Sequence, residues 1–224
     1  MPVPETDVRT LGRVSVRRVK EIIANKKTAL AIGPGISTTE ETRGFLYEII
    51  RSCEIPAVID ADALTLIAEE PGILLKAKAP IVLTPHPGEM SRLTGIETDE
   101  IESDRIGVSL EFAKRYKVIL VLKGARSLVT TPGGRVYVNT SGNPGMASGG
   151  MGDVLTGIIG GFLAQRLAPE DAARLGVFVH GLAGDLCASE RGQAGIIAGD
   201  LADVLPWTLS ELPDSDEEPF FRIR

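Results

Sequence analysis

Residues 56–69 read Pro56-Ala57-Val58-Ile59-Asp60-Ala61-Asp62-Ala63-Leu64-Thr65-Leu66-Ile67-Ala68-Glu69. A short apolar run ends on a carboxylate, and a helical pattern resumes at Ala63. This is a strand, a polar loop and a helix, the repeating unit of a parallel sheet. The same unit recurs on both sides. Upstream, Thr28-Ala29-Leu30-Ala31-Ile32 is a buried strand that stops at Gly33. Thr38 or Thr39 then caps a helix to about Ser52, with Phe45, Leu46, Ile49 and Ile50 on one face. Downstream, Pro80-Ile81-Val82-Leu83-Thr84 is a third strand, followed by a short helix over Gly88–Leu93. A helix is predicted over Ile101–Tyr116, with Ile101, Val108, Phe112 and Tyr116 inward, and a fourth strand over Val118–Lys123. Pro132-Gly133-Gly134 between Leu128–Thr131 and Arg135–Asn139 signals a hairpin. Helices are expected over Asp153–Arg166, Glu170–Glu190 and Asp200–Leu205. The basic run Arg13, Arg17, Arg18 and Lys20 reads as a solvated helix face, and the acidic tail Asp214–Glu218 as frayed. The pattern gives an α/β fold, a mainly parallel sheet with helices on both faces and a late antiparallel hairpin.

Composition bounds the function. The chain has 224 residues, 24 Lys plus Arg and 30 Asp plus Glu, a net charge of −6. That length suits a single domain over residues 1–224. The acidic balance argues against a nucleic-acid binder or a binder of anionic membranes. Residues 1–20 lack the apolar centre of a signal peptide, and no run of about 18 apolar residues would span a bilayer. A cytoplasmic protein is the expectation. Two Cys, Cys53 and Cys187, make no disulfide framework and sit in apolar helical context, where they read as inert. Eight of the 25 Gly lie between Gly142 and Gly161, a concentration that points to a ligand loop.

In an open α/β sheet, ligands bind beyond the carboxyl ends of the strands, so the loops there carry the chemistry. Gly33-Pro34-Gly35-Ile36-Ser37 is a tight turn but no dinucleotide fingerprint, since G-x-G-x-x-G would need glycine where Thr38 stands. Asp60 could orient a metal-bound water or a polar ligand group, and Asp62 could cap the next helix. In Thr84-Pro85-His86-Pro87-Gly88-Glu89, two prolines fix the backbone around His86, which could exchange a proton with a ligand near neutral pH. Glu89 could cap the following helix or reach the site. Lys123 beside Gly124 suits an anion. The strongest element is Gly142 through Gly157, with Gly149-Gly150-Met151-Gly152-Asp153 at its centre. Glycines lead into a helix, whose free N–H groups and dipole can hold an anion. It is no P-loop, because G-x-x-x-x-G-K-S/T occurs nowhere. Asp153 on the first helical turn would be a poor phosphate ligand and is well placed as a base beside a phosphate in transfer. His180, in the small-residue run Phe178–Asp185, is better explained by close helix packing than by chemistry.

Together these stretches resemble the NAD(P)H-hydrate dehydratase family of the ribokinase-like superfamily. They are Ile32–Gly35, Asp60–Leu64, Thr84–Glu89, Val121–Ala125, Gly142–Gly157, His180–Asp185 and Gly195–Asp200. The resemblance implies a three-layer ribokinase-like fold and a repair reaction. Hydrated NADH or NADPH would lose water at the expense of ADP, or of ATP, with Mg²⁺ on the nucleotide. Hydroxide leaves poorly, so the hydroxyl is phosphorylated and phosphate departs. Asp153 would be the base, and Gly149, Gly150, Met151 and Gly152 would hold the developing charge. Gly35, His86 and Asp153 would bind the hydrated cofactor. Lys123, Gly124, Ala125, Arg126, Ser127 and Gly152 would border the nucleotide. No residue is assigned as a direct metal ligand. With a net charge of −6, helix starts, Lys123 and the metal must supply the local positive field. Relatives tend to be homotetramers, and a mean hydropathy of +0.12 fits a buried interface. Two departures stand out. The family's opening βα units, which would supply strands and part of the substrate pocket, are expected ahead of Met1, so the sequence reads as a fragment, a short gene model or a diverged protein with a curtailed site; and position 151 is Met where many relatives carry Thr or Ser. Two other readings share the glycine block: a vitamin-precursor kinase of the same superfamily, and a catalytically impaired nucleotide-binding module.

Overall fold

A computed structural model describes residues 11–210, 212 and 220–223; the acidic tail Asp214–Glu218 lies outside the described residues. Four parallel strands come first: β1 (Leu30–Ile32), β2 (Ala57–Ile59), β3 (Ile81–Leu83) and β4 (Ile119–Leu122). Then β5 (Leu128–Thr130), β6 (Val136–Asn139) and β7 (Phe220–Ile223) continue the sheet antiparallel, in the order β1 to β7. The hairpin is therefore joined by one more antiparallel strand than the sequence pattern indicated.

The helices are α1 (Arg13–Ala24), α2 (Glu40–Ser52), α3 (Asp62–Ala68), α4 (Pro87–Thr94), α5 (Thr98–Ser103), α6 (Arg105–Tyr116), α7 (Met151–Ala164), α8 (Pro169–Arg191) and α9 (Ala198–Ser210). Strand periodicity divides them between the two faces. Ile32, Ile59, Leu83, Leu120 and Leu122 share one core with Phe45, Leu66, Met90 and Phe112 from α2, α3, α4 and α6. The alternate residues Val58, Val82, Val121 and Val129 pack with Leu155, Ile159, Ala173 and Val177 from α7 and α8. Right-handed crossovers that always step in one direction place successive helices on the same face. The hairpin ends that series, and the chain then covers the other face. Leu120 is fully buried at the middle of this sandwich, where truncation to Ala costs about 2–5 kcal/mol.

Helix boundaries follow local chemistry. Thr39 caps α2, its hydroxyl accepting from the Thr42 N–H at 3.3 Å. The single helix expected over Ile101–Tyr116 is two, α5 and α6. Asp104 leaves helical geometry at φ −139°, ψ 61°, and its carboxylate accepts from Gly107 N–H at 2.8 Å. An Asp inside an amphipathic run thus acts as a new helix cap. Asp62 does not cap α3. It accepts from the Ser37 N–H at 2.9 Å and ties down the Gly33–Ser37 turn. Of the basic run, Arg17 and Arg18 pair with Glu21 in solvent, and Lys20 meets Glu48 at 2.9 Å.

Candidate functional site

Five loops converge at the carboxyl ends of β1 to β4 and at the start of α7. The Gly33–Ser37 turn lies on β2. A Cβ at Gly33, whose φ is +142°, would run into the Asp60 carbonyl, so only glycine lets the turn approach that closely. Gly35 is exposed at its tip, with φ +69°.

Asp60 is the buried hub, 1% exposed. One carboxylate oxygen accepts from Lys123 Nζ at 2.8 Å, and the other from the Thr156 hydroxyl at 2.8 Å. A carboxylate this deep requires such partners. Asp60 thus does not face solvent to orient a metal-bound water; it joins β2, β4 and α7. Lys123 also lies 3.7 Å from Glu89. Its ammonium sits beneath the start of α7, where a Cβ at Gly152 would stand 3.1 Å from Nζ and 3.4 Å from the Asp60 carboxylate. Gly152 therefore lets the helix start and the ammonium come together.

The histidine turn closes the start of α4 from within. The His86 ring Nδ1 accepts from the N–H groups of Gly88 at 3.0 Å and Glu89 at 3.4 Å. Glu89 reaches back to the His86 N–H at 2.8 Å, completing a capping box. The Lys123 N–H donates to the Pro85 carbonyl at 2.8 Å, which ties the lysine loop to the histidine turn.

The start of α7 is built differently. Gly150 sits there at φ +84° with no side-chain cap. Among the described residues, the N–H groups of Gly152 and Asp153 meet no acceptor on the chain. Asp153 is exposed and has no partner among the described residues. Gly149 and Gly150 are exposed beside it, whereas Met151 is buried. What fixes this start is His180, whose Nε2 lies 2.9 Å from the Met151 carbonyl. Burial pulls the His180 pKa down from 6.5 to about 4, against the opposing effect of that hydrogen bond, with Lys123 adding to the drop. The ring is therefore neutral near pH 7 and donates through Nε2–H. Farther back, Asp185 accepts from Gly142 N–H at 2.8 Å and Asn143 Nδ2 at 2.9 Å. Side chains at Gly181 and Gly184 would collide with Ser141 and Met146. The small residues of α8 thus seat the glycine block, as expected for that run.

The Lys123–Ser127 loop is held by Arg105, which donates to the carbonyls of Leu122 and Lys123, both at 3.2 Å. Gly124, Ala125 and Arg126 are exposed, and Ser127 donates to the Gly124 carbonyl at 3.3 Å. The structure therefore brings Lys123 and Gly152 close together and ties the Lys123 loop to the histidine turn through Pro85 and Glu89, with Asp153 next to Gly152. Gly35 stands on the neighbouring turn. Thr156, Arg105 and Asp185 escape a reading of local motifs; their partners are far away in sequence, and only the topology reveals them. Burial pushes the thiol pKa of Cys53 and Cys187 up, in keeping with inert side chains.

The chain was compared with known proteins. The sequence profile of the NAD(P)H-hydrate dehydratase family matches residues 4–207. The bifunctional NAD(P)H-hydrate repair enzyme Nnr of Moorella thermoacetica is 45% identical over 217 residues, covering 97% of this chain and 41% of that protein. The ADP-dependent (S)-NAD(P)H-hydrate dehydratase of Bacillus subtilis is 34% identical over 178 residues, covering 80% of this chain and 62% of that one. The crystal structure of the ADP/ATP-dependent NAD(P)H-hydrate dehydratase from Bacillus subtilis, co-crystallized with ATP/Mg²⁺ and soaked with CoA, superposes with a TM-score of 0.75. That match is 34% identical and covers 83% of this chain and 67% of that one. A hydroxyethylthiazole kinase from Pyrococcus horikoshii shares the fold at TM-score 0.64 and 15% identity, covering 95% of this chain and all of that one. The chain thus spans about two fifths of the Moorella repair enzyme. With the profile running over most of its length, this chain belongs to the NAD(P)H-hydrate dehydratase family.

Proposed function

We propose that this chain dehydrates the S form of hydrated NADH or NADPH at the expense of a nucleotide, ADP in the first instance, and so restores the normal cofactor. The observation that carries this reading is the start of α7. Among the described residues, the exposed carboxylate of Asp153 has no partner and stands beside N–H groups without acceptors and above a held ammonium. Family membership and the similarity to an ADP-dependent dehydratase support the choice of substrate.

Asp153 takes the proton of the cofactor's hydroxyl as that oxygen attacks the terminal phosphorus of the nucleotide. An O–P bond forms, and the bond from phosphorus to the nucleotide's leaving oxygen breaks. The N–H groups at Gly152 and Asp153, with the exposed Gly149 and Gly150 alongside, face the charge gathering on the phosphoryl oxygens. The C–O bond then breaks, phosphate leaves with its electron pair, and a proton on the neighbouring ring carbon passes to water, its C–H electron pair restoring the double bond. Lys123 adds positive charge from below. The exposed turn Gly124–Ser127 borders the nucleotide, and Gly35 and His86 border the hydrated ring.

Among the described residues, no group of three or more His, Cys, Asp or Glu side chains could hold a metal ion. Asp60 and Glu89 are already engaged with Lys123, Thr156 and the His86 N–H. In the proposal, Mg²⁺ is carried by the nucleotide's phosphates. The residues work as one ribokinase-like unit, in the cytoplasm, where the reduced cofactors turn over. A homotetramer is part of the proposal; the exposed Ile197, Trp207 and Leu209, all on or beside α9, are surface that a neighbouring subunit would cover.

The test is direct. The purified chain is incubated with S-hydrated NADH and ADP, and the return of NADH absorbance is followed. ADP-dependent return supports the reading. Phosphoryl transfer to hydroxyethylthiazole or hydroxymethylpyrimidine, without repair, would replace it with a vitamin-precursor kinase. A melting-temperature shift with ADP but no turnover would leave a nucleotide-binding module.

A further inference from the structure

The capping geometry at α4 fixes which ring nitrogen of His86 carries the proton. Nδ1 accepts from Gly88 N–H at 3.0 Å and from Glu89 N–H at 3.4 Å. A nitrogen that accepts must present its lone pair, so the proton of the neutral ring sits on Nε2. Protonating Nδ1 would set a third N–H against those two. Nε2 itself lies 3.7 Å from the Glu89 carboxylate, beyond hydrogen-bond distance. That same Glu89 oxygen is already engaged by the His86 N–H at 2.8 Å. The side chain is 51% exposed. Among the described residues, the His86 ring therefore presents one unengaged donor and no free acceptor.

We infer that His86 is a specificity-determining residue of fixed polarity. It offers Nε2–H to the bound hydrated cofactor, so the ligand atom it meets is a hydrogen-bond acceptor, such as a carboxamide, hydroxyl or phosphate oxygen. Its Nδ1 lone pair stays with the helix cap and is not offered to the ligand. This rests on the reading that the hydrated cofactor binds against the histidine turn. The inference also isolates Asp153. Asp60 is bound to Lys123 and Thr156, Asp62 to the Ser37 N–H, Glu89 to the His86 N–H, and His180 to the Met151 carbonyl. Among the site groups described, Asp153 alone stands open to receive a proton.

The chain has two His, so the ring nitrogens of ¹⁵N-labelled protein can be assigned with a His180→Gln variant. The expected spectrum of His86 in the free protein has a pyridine-like Nδ1 and a pyrrole-like Nε2. The reverse tautomer overturns the inference. Two variants test its consequence. Asn and Asp both cap helix starts well, so His86→Asn and His86→Asp keep α4 closed. Asn retains an outward donor, whereas Asp places a carboxylate there. Calorimetry should show hydrated NADH binding at least about tenfold more weakly to the Asp variant than to the Asn variant, at similar melting temperatures and with ADP binding unchanged. Equal weakening overturns the inference. Absence of repair by the unmodified chain would instead overturn the repair reading, because the ring spectrum is read without any substrate.

Discussion

Helices α4 and α7 both start among the loops at the carboxyl ends of the strands, and they start in opposite ways. The start of α4 is closed by its own residues: the His86 ring takes two N–H groups, and Glu89 takes the His86 N–H. The start of α7 is left open, with Gly150 at φ +84° in place of a capping side chain. A helix start without a cap forgoes about 1 kcal/mol of stability. It gains N–H groups and a positive dipole end that an anion can use, worth from a few tenths to about 2 kcal/mol. A helix start is thus closed by a histidine in one loop and left open in the other, where the proposed function puts a phosphate. His180 and Thr156 make up for the missing cap, anchoring α7 through the Met151 carbonyl and Asp60.

This contrast can be broken at several points. The largest effect is expected at the open start. Asp153→Asn should lower turnover by about 10²–10⁴-fold, the range for loss of a general base, while ADP affinity stays within a small factor. Steady-state kinetics with ADP calorimetry measures both, and normal turnover would remove Asp153 as the base. Next comes the hub that supports the open start. Asp60→Ala leaves the Lys123 ammonium without its 2.8 Å partner, so unfolding in denaturant should show a loss of about 3–5 kcal/mol. Asp60→Asn keeps a hydrogen-bonding group for Thr156 and should lose less.

The anchor at His180 gives a pH signature. Its folded pKa is depressed, from 6.5 to about 4. Between those values the unfolded chain binds more protons than the folded one, so stability rises with pH across that window. The contribution is fully present above about pH 6.5 and is lost as pH falls through about 4, a total of about 3 kcal/mol. Denaturation curves from pH 7 to 4 should lose that slope in His180→Gln, which still can donate to the Met151 carbonyl. An unchanged slope would mean that another group carries it. The smallest effect is expected at the closed start. His86→Ala removes the cap of α4 and should cost about 1 kcal/mol, together with weaker binding of hydrated NADH; an unchanged affinity would separate His86 from the ligand.

The sequence makes the two starts legible to different degrees. Strands and helices follow from apolar runs of period two and helical spacing, which are local signals. The glycine block and Asp153 announce an anion loop for the same reason: the glycines and the carboxylate are neighbours in the chain. The closed start is harder to read. Prolines around His86 mark a rigid turn, and Glu89 three residues on hints at a cap, but a histidine ring acting as capping acceptor has no propensity signal. Asp104 reads as an interior helix residue because the apolar spacing continues across it, although its carboxylate caps the Gly107 N–H three residues on. The Asp60 hub is hidden altogether. Its partners lie 63 and 96 residues away, and their meeting depends on β2, β4 and α7 being adjacent in space. Asp62 shows the same limit, since proximity in sequence suggested α3 while the fold supplied Ser37.

The contrast itself is tested most directly by following backbone amides during a titration with ADP. The account predicts that the amide resonances of Gly152 and Asp153 move with saturation, as their N–H groups gain an acceptor, while those of Gly88 and Glu89 stay in place because His86 already holds them. Movement at Gly88 and Glu89 with silence at Gly152 and Asp153 would contradict it.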